Sequence, residues 1–148
     1  MIFKEEIITK ELLEEAKPLL YKHWEEIAHY KDIPLDPDFD LYLKMQAMGA
    51  IRSYSVRNDE GKLVGYACFF VRHNGHYKQT LYAVQDIVFI DPECRGGGFK
   101  FIRWCDEQLR ELGVNVVTHH IKAAHNFGPA LERMGYTLQD LIYSRRLN

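Results

Sequence analysis

The sequence has no apolar run approaching the ~20 residues that a membrane-crossing helix needs, no tract of low complexity and no internal repeat. No membrane partner is expected from it. It has no excess of positive charge either: 19 Lys and Arg stand against 21 Asp and Glu, a net charge of -2. That balance provides no basic surface for phosphate backbones, so no nucleic-acid partner is expected. Lys100, Arg103 and Arg110 fall along one helix and read as a solvated face. Cysteine is scarce. Cys68, Cys94 and Cys105 cannot all pair, and none stands at Cys-x-x-Cys spacing, so free thiols in a reducing compartment are expected. The opening Met-Ile-Phe-Lys-Glu-Glu lacks the apolar stretch and cleavage site of a secretory signal, which leads to the expectation of a cytoplasmic protein.

What is present is an ordinary globular mixture, 148 residues with 47% hydrophobic and 27% charged, the length of one domain. Ile2, Phe3, Ile7 and Ile8 suggest a first strand. From Thr9, a candidate N-cap, apolar residues recur at helical spacing to Ala28, with Pro18 inside the run as a kink or a break. Residues 32–40 form an Asp- and Pro-rich loop in which Asp36 or Asp38 opens a second helix, whose buried side is expected at Leu41, Met45 and Met48. Ile51 to Arg57 and Lys62 to His73 read as a hairpin joined by Asn-Asp-Glu-Gly, and Thr80 to Ile90 as a further strand. A helix from Phe101 to Gly113, a strand from Val114 to Ile121, a short helix from His125 to Met134 and a last strand from Tyr136 to Leu147 complete the chain. The order β-α-α-β-β-β-α-β-α-β predicts an α/β (α+β) fold with a mixed, mainly antiparallel central sheet flanked by helices.

Between the strand ending at Ile90 and the next helix stands Asp91-Pro-Glu-Cys-Arg-Gly-Gly-Gly-Phe-Lys100. A strand, a glycine loop and a helix start bring free backbone N–H groups and the positive helix end to one spot, which suits an anion. Arg95 adds a charged fork. A nucleotide P-loop is excluded because Lys100 is followed by Phe101 rather than Ser or Thr, and a dinucleotide fingerprint because its third glycine would fall at Phe101.

The stretch Ile90 to Phe99 resembles the pyrophosphate-binding motif of the GCN5-related N-acetyltransferases, a hydrophobic residue followed by x-Pro-x-x-Arg/Gln-x-x-Gly-x-Gly/Ala. The resemblance extends over most of the chain, to a Met134-Gly135-Tyr136 in place of that family's late Leu-Gly-Phe signature, and implies one domain of that fold over residues 1–148. It implies acetyl-CoA as donor substrate. Val88, Phe89 and Ile90 would pair with the pantetheine arm, Arg95, Gly96, Gly97, Gly98, Phe99, Lys100 and Phe101 would cradle the pyrophosphate, and His125 or Asn126 would supply a further contact. Lys100 departs from the motif's last Gly/Ala: turned outward it adds charge near the phosphates, turned inward it obstructs the loop. The stretch His125-Asn-Phe-Gly-Pro129 is similar to that of short members from tailed-phage genomes, which would act inside a bacterial host.

The implied reaction is acetyl transfer to a primary amine of a small molecule or protein. An alkylammonium is almost wholly protonated at neutral pH, so a base must take its proton. Asp86 and His120 are the two candidates, each with an ordinary alternative: a carboxylate that only binds the cation, or a plain strand histidine. The family's usual general acid, a Tyr, is replaced by Leu131, and Tyr143 or Tyr82 is left to substitute. A thiol leaves readily as its anion, so the reaction does not depend on that acid. Asp32, Asp36, Asp38 and Asp40 are read first as caps and solvated residues and second as an attraction for a cationic acceptor. No metal is expected, since no carboxylate or Cys completes the spacing of His119, His120 and His125. A homodimer is open to the chain. The competing reading is a domain of the same fold that binds CoA or a protein partner without turnover, for which Leu131 and Lys100 speak.

Overall fold

The structure, a computed structural model, describes residues 1–148 with the exception of the Arg95 side chain. Strand β1 (Ile2–Glu6) leads into helix α1 (Lys10–Ile27), where the Thr9 hydroxyl accepts from the Leu12 N–H at 3.1 Å as the expected cap. One helix runs through Pro18 rather than two. Its apolar side is anchored on both sides of the proline, by Leu13 and Ala16 before it and by Leu19 and Leu20 after it. Arg57 adds a polar clamp, donating Nη1 and Nη2 to the Glu15 carboxylate at 2.6 and 3.1 Å and Nε to Glu6 at 3.0 Å.

Helix α2 (Phe39–Ala47) starts at Asp38, whose side chain accepts from the Leu41 N–H at 3.0 Å, so Asp38 rather than Asp36 is the cap. The expected buried side is corrected here. Met48 is 80% exposed and Leu41 about half exposed, while Tyr42, Leu43 and Met45 pack against Ile8, Ile51 and Cys68.

Strands β2 (Ile51–Arg57), β3 (Leu63–His73) and β4 (Leu81–Ile90) form an antiparallel meander, and β5 (Val116–Thr118) joins β4 in parallel, giving the order β1-β2-β3-β4-β5. The crossover from β4 to β5 is helix α3 (Gly98–Glu111), stopped by Gly113 at φ +96°. It buries Phe101, Ile102, Cys105 and Leu109 on the sheet face that carries Tyr54, Val56, Ala67, Phe69 and Ala83. Helices α1 and α2 cover the opposite face. A short helix α4 (Gly128–Arg133) follows β5.

The expected last strand is absent: residues 136–148 adopt no regular secondary structure and join no sheet. Alternating apolar residues make a strand only where an edge accepts them. Here the run turns to the segment between α1 and α2, where Tyr30 and Ser144 share a hydroxyl hydrogen bond at 3.0 Å and Arg146 donates to Asp32 at 2.5 Å. Leu138, Leu141, Ile142, Tyr143 and Leu147 are left between 70% and 90% exposed. No helix among the described residues is long and apolar enough to cross a membrane.

Candidate active site

The site begins with a one-residue irregularity in β4. Facing β3, Gln85 lies opposite Phe69 and Ile87 opposite Cys68, so Asp86 is an extra residue, a β-bulge. Side chains alternate on either side of it. Ile90 and Val88 face α3, whereas Phe89 and Ile87 face α1. At the bulge the alternation breaks, and Asp86 turns to the same side as Ile87, toward α2. The ladder with β5 covers only Tyr82 to Val84 and ends before the bulge. Beyond it β4 and the chain after β5 diverge, leaving a cleft of about 210 Å³.

The cleft's walls are β4 from Gln85 to Ile90, Gly98, Phe99 and Ile102 of α3, His120 and His125 after β5, Leu131 of α4, and His23, Glu26 and Ile27 of α1. His125 Nδ1 lies 3.1 Å from Glu26, so the segment after β5 is tied to α1 across the cleft. At the glycine end, Asp91 organises the turn out of β4. It accepts at its side chain from the Glu93 N–H at 3.2 Å and at its carbonyl from the Cys94 N–H at 2.7 Å, while Lys22 of α1 donates to it at 2.7 Å. The hydrogen bond from Lys22 holds the Asp91 carboxyl below its ordinary range. Residues 92–97 then make a tight 3₁₀ turn directly into α3, whose first N–H groups have no side-chain cap.

The three glycines are not alike. Gly97 is buried, and a Cβ there would run into the Met1 side chain. At Gly96 a Cβ would meet nothing within 4 Å, and at Gly98 only the Ile90 Cδ1 at 3.9 Å, an ordinary contact. Neither has a positive φ. The folded chain by itself therefore gives no reason for glycine at 96 or 98.

Of the residues singled out for the cofactor, Val88, Phe89, Ile90, Gly98, Phe99 and His125 line the cleft together. Lys100 is exposed on the first turn of α3, so it does not obstruct the loop. The Arg95 side chain lies outside the described residues. Phe101 and Asn126 do not line the cleft. Phe101 is fully buried against Phe3 on the α3 face, where packing rather than ligand binding employs its ring. Asn126 is exposed and accepts from the Gly128 N–H at 2.9 Å, which makes it a turn residue of its own loop.

Asp86 lines the cleft and receives a 2.5 Å hydrogen bond from the Tyr42 hydroxyl. Burial raises the pKa of the Asp86 carboxyl, and the Tyr42 bond works against that rise. Tyr42 is itself raised, by burial first and by Asp86 second. Nothing local in the sequence marks Tyr42, because its partner is 44 positions away. His120 lines the cleft and is exposed, while its neighbour His119 points inward: Nδ1 lies 2.7 Å from Gln85 Oε1, Nε2 is buried without a partner, and burial lowers its pKa to about 4. Tyr143 is 90% exposed on the C-terminal run and does not line the cleft, and Tyr82 sits at the far end of β4 beside Val116. Leu131, 5% exposed, lines the cleft with an apolar side chain. Among the described residues no group of three His, Cys, Asp or Glu side chains is placed to hold a metal ion.

No protein-family model matches the sequence, and no curated protein does. Solved structures do. A ribosomal-protein-alanine N-acetyltransferase from Brucella melitensis biovar Abortus 2308 is 17% identical, with 99% of this chain and 100% of that chain covered at a TM-score of 0.71. Glucosamine-6-phosphate N-acetyltransferase from Arabidopsis thaliana is 13% identical, with 100% of both chains covered at 0.71. An aminoglycoside acetyltransferase from an uncultured soil metagenomic sample is 17% identical, with 99% and 97% covered at 0.72. A five-stranded mixed sheet split at a bulge beside a glycine turn, and full-length agreement with these enzymes, give one conclusion: the chain has the fold of the GCN5-related N-acetyltransferases.

Proposed function

We propose that the protein is an acetyl-CoA-dependent N-acetyltransferase acting on a primary amine. The observation that carries this reading is the pair Gly96 and Gly98, two glycines with no conformational or packing cause in the fold, the second of which lines the cleft. A backbone kept bare without internal cause suits a phosphate group that must approach its N–H groups. The first N–H groups of α3 and the turn before it would hold the pyrophosphate, and β4 from Val88 to Ile90 would line the pantetheine arm.

Bound acetyl-CoA supplies a thioester, so that the amine's N–C bond forms as the C–S bond breaks and CoA leaves as thiolate. The chain's part is to place and deprotonate the amine. Asp86 is the base favoured by geometry: it stands on the bulge, inside the cleft, with a pKa raised by burial and an orientation set by Tyr42. His120 lines the same cleft and is the competing base.

A second reading, CoA binding without turnover, draws on Leu131, a buried apolar residue at the position where the resemblance implies an acid. Melting with acetyl-CoA, followed by thiol release with a panel of amines, separates the two. Ligand at ~100 Kd raises stability by about 2.7 kcal/mol, and no shift would remove the cofactor from the account. A shift without thiol release selects the second reading. With turnover, Asp86→Asn is expected to abolish thiol release and His120→Ala to leave most of it; the reverse result transfers the base to His120.

A further inference from the structure

A second cavity, of about 750 Å³, lies between α1, the segment 29–39, α2 and the sheet face opposite α3. Ile27, Ile87 and Lys122 line both this cavity and the cleft, so the two meet beside Asp86. Its size is that of sites for compact organic ligands, roughly 300–1,000 Å³.

Its walls are mainly apolar. From α1 come Leu12, Ala16, Leu20 and Trp24, spaced to face the same side, and Ile142 of the C-terminal run adds a further apolar wall. Several of the polar groups that line it are engaged with one another, while the Asp36 carboxylate stands toward the α2 end. Ser55 donates to Glu6 at 2.8 Å, and Glu6 also takes Arg57; Cys68 donates to Ser53 at 3.3 Å; Tyr66 bonds His23 at 3.1 Å; Tyr42 donates to Asp86. Asp38 is occupied in capping α2. Hydroxyls of a sugar, or the further ammonium groups of a polyamine, would leave water for walls already satisfied, at a cost of about 1–3 kcal/mol for each group left unpaired. The carboxylate at the junction is the place for one ammonium, and Lys122, which lines both spaces, disfavours a second positive charge.

We propose that this cavity takes the acceptor, and that the acceptor is a small amphiphilic primary amine: one ammonium group at Asp86 and an unbranched or aromatic apolar body running under α1. This rests on the reading of Asp86 as the group that meets the amine, and narrows it to a substrate class.

The test uses the whole protein and n-alkylamines from ethylamine to octylamine, with glucosamine and spermidine as polar controls. Binding is followed by calorimetry and by the fluorescence of Trp24. Each methylene that enters an apolar wall should tighten binding about three- to fourfold, while glucosamine and spermidine bind no better than ethylamine. Ala16→Trp, which fills the cavity away from the cleft, should abolish the chain-length dependence and leave acetyl-CoA binding unchanged. A flat response to chain length in the wild-type protein, or tighter binding of glucosamine or spermidine, overturns the proposal, and this arm decides even if the Ala16→Trp protein does not fold. Thiol release keeps the two readings apart. A chain-length trend without thiol release upholds the cavity's preference and refutes turnover, whereas thiol release with glucosamine alone upholds acetyl transfer and refutes the preference.

Discussion

Replacing Gly96 and Gly98 together by alanine should make the protein more stable and a poorer ligand binder. Neither position has a positive φ, and an added methyl meets nothing within 4 Å at 96 and only Ile90 Cδ1 at 3.9 Å at 98. At such compatible positions each Gly→Ala change stabilises by about 0.4–1 kcal/mol, because the unfolded chain loses freedom it would otherwise recover. Gly98 gains additionally as the first residue of α3. The pair should total about 1–2 kcal/mol. With an unfolding entropy of about 2.1 cal/mol/K per residue, that raises Tm by roughly 3–6 °C in a chain of this length. The same methyl groups would stand between backbone N–H donors and the pyrophosphate. Loss of a single hydrogen bond to a charged group, about 1.5–3 kcal/mol, weakens acetyl-CoA at least about tenfold. Thermal melts with and without acetyl-CoA read both effects in one experiment. A fall in Tm of the free double variant would show that the glycines serve the fold, and unchanged acetyl-CoA affinity would show that no cradle exists there. Gly97→Ala is the comparison: its methyl displaces only the end of the flexible Met1 side chain, so acetyl-CoA affinity rather than stability separates it from the double variant.

Tyr42→Phe removes the hydrogen bond that opposes the burial of Asp86, so the Asp86 pKa should rise further; the acidic limb of kcat/KM should move to higher pH, and an unmoved limb would exclude Asp86 as the base. His119 titrates near 6.5 in the unfolded chain and about 4 in the folded one, so the unfolded state takes up the proton first. The stability present above pH 6.5 is therefore lost as pH falls toward 4, by up to about 1.4 kcal/mol per pH unit, and His119→Asn should flatten that slope in melts across the window. Phe101→Ala empties a fully buried ring site and should cost about 3–5 kcal/mol, read as a lower denaturation midpoint in urea, whereas a ring devoted to a ligand would cost little in the free protein.

Structure is legible in the sequence where the signal is local. The Thr9 and Asp38 caps, the hairpin at residues 58–61 and the stop at Gly113 each depend on a few neighbouring residues. It is hidden where an element depends on a partner. The alternating tail after Tyr136 looks like a strand, but its partners turned out to be Tyr30 and Asp32, and α2 buries Tyr42 instead of Met48 because Ile8 and Cys68 lie on that side. Phe101 illustrates the same limit inside the site, where adjacency to the glycines in sequence did not mean adjacency to the cleft in space.

By itself, the sequence determined the order of the main elements up to α4 and the place of the glycine turn, since helix periodicity, capping and backbone freedom are encoded within a few residues of one another. Tertiary structure alone decided that Asp86 is the extra residue of a bulge, that Tyr42 orients it, and that Gly96 and Gly98 stand bare for no internal reason. A bulge exists only relative to the strand opposite, and empty space only relative to everything that could have filled it.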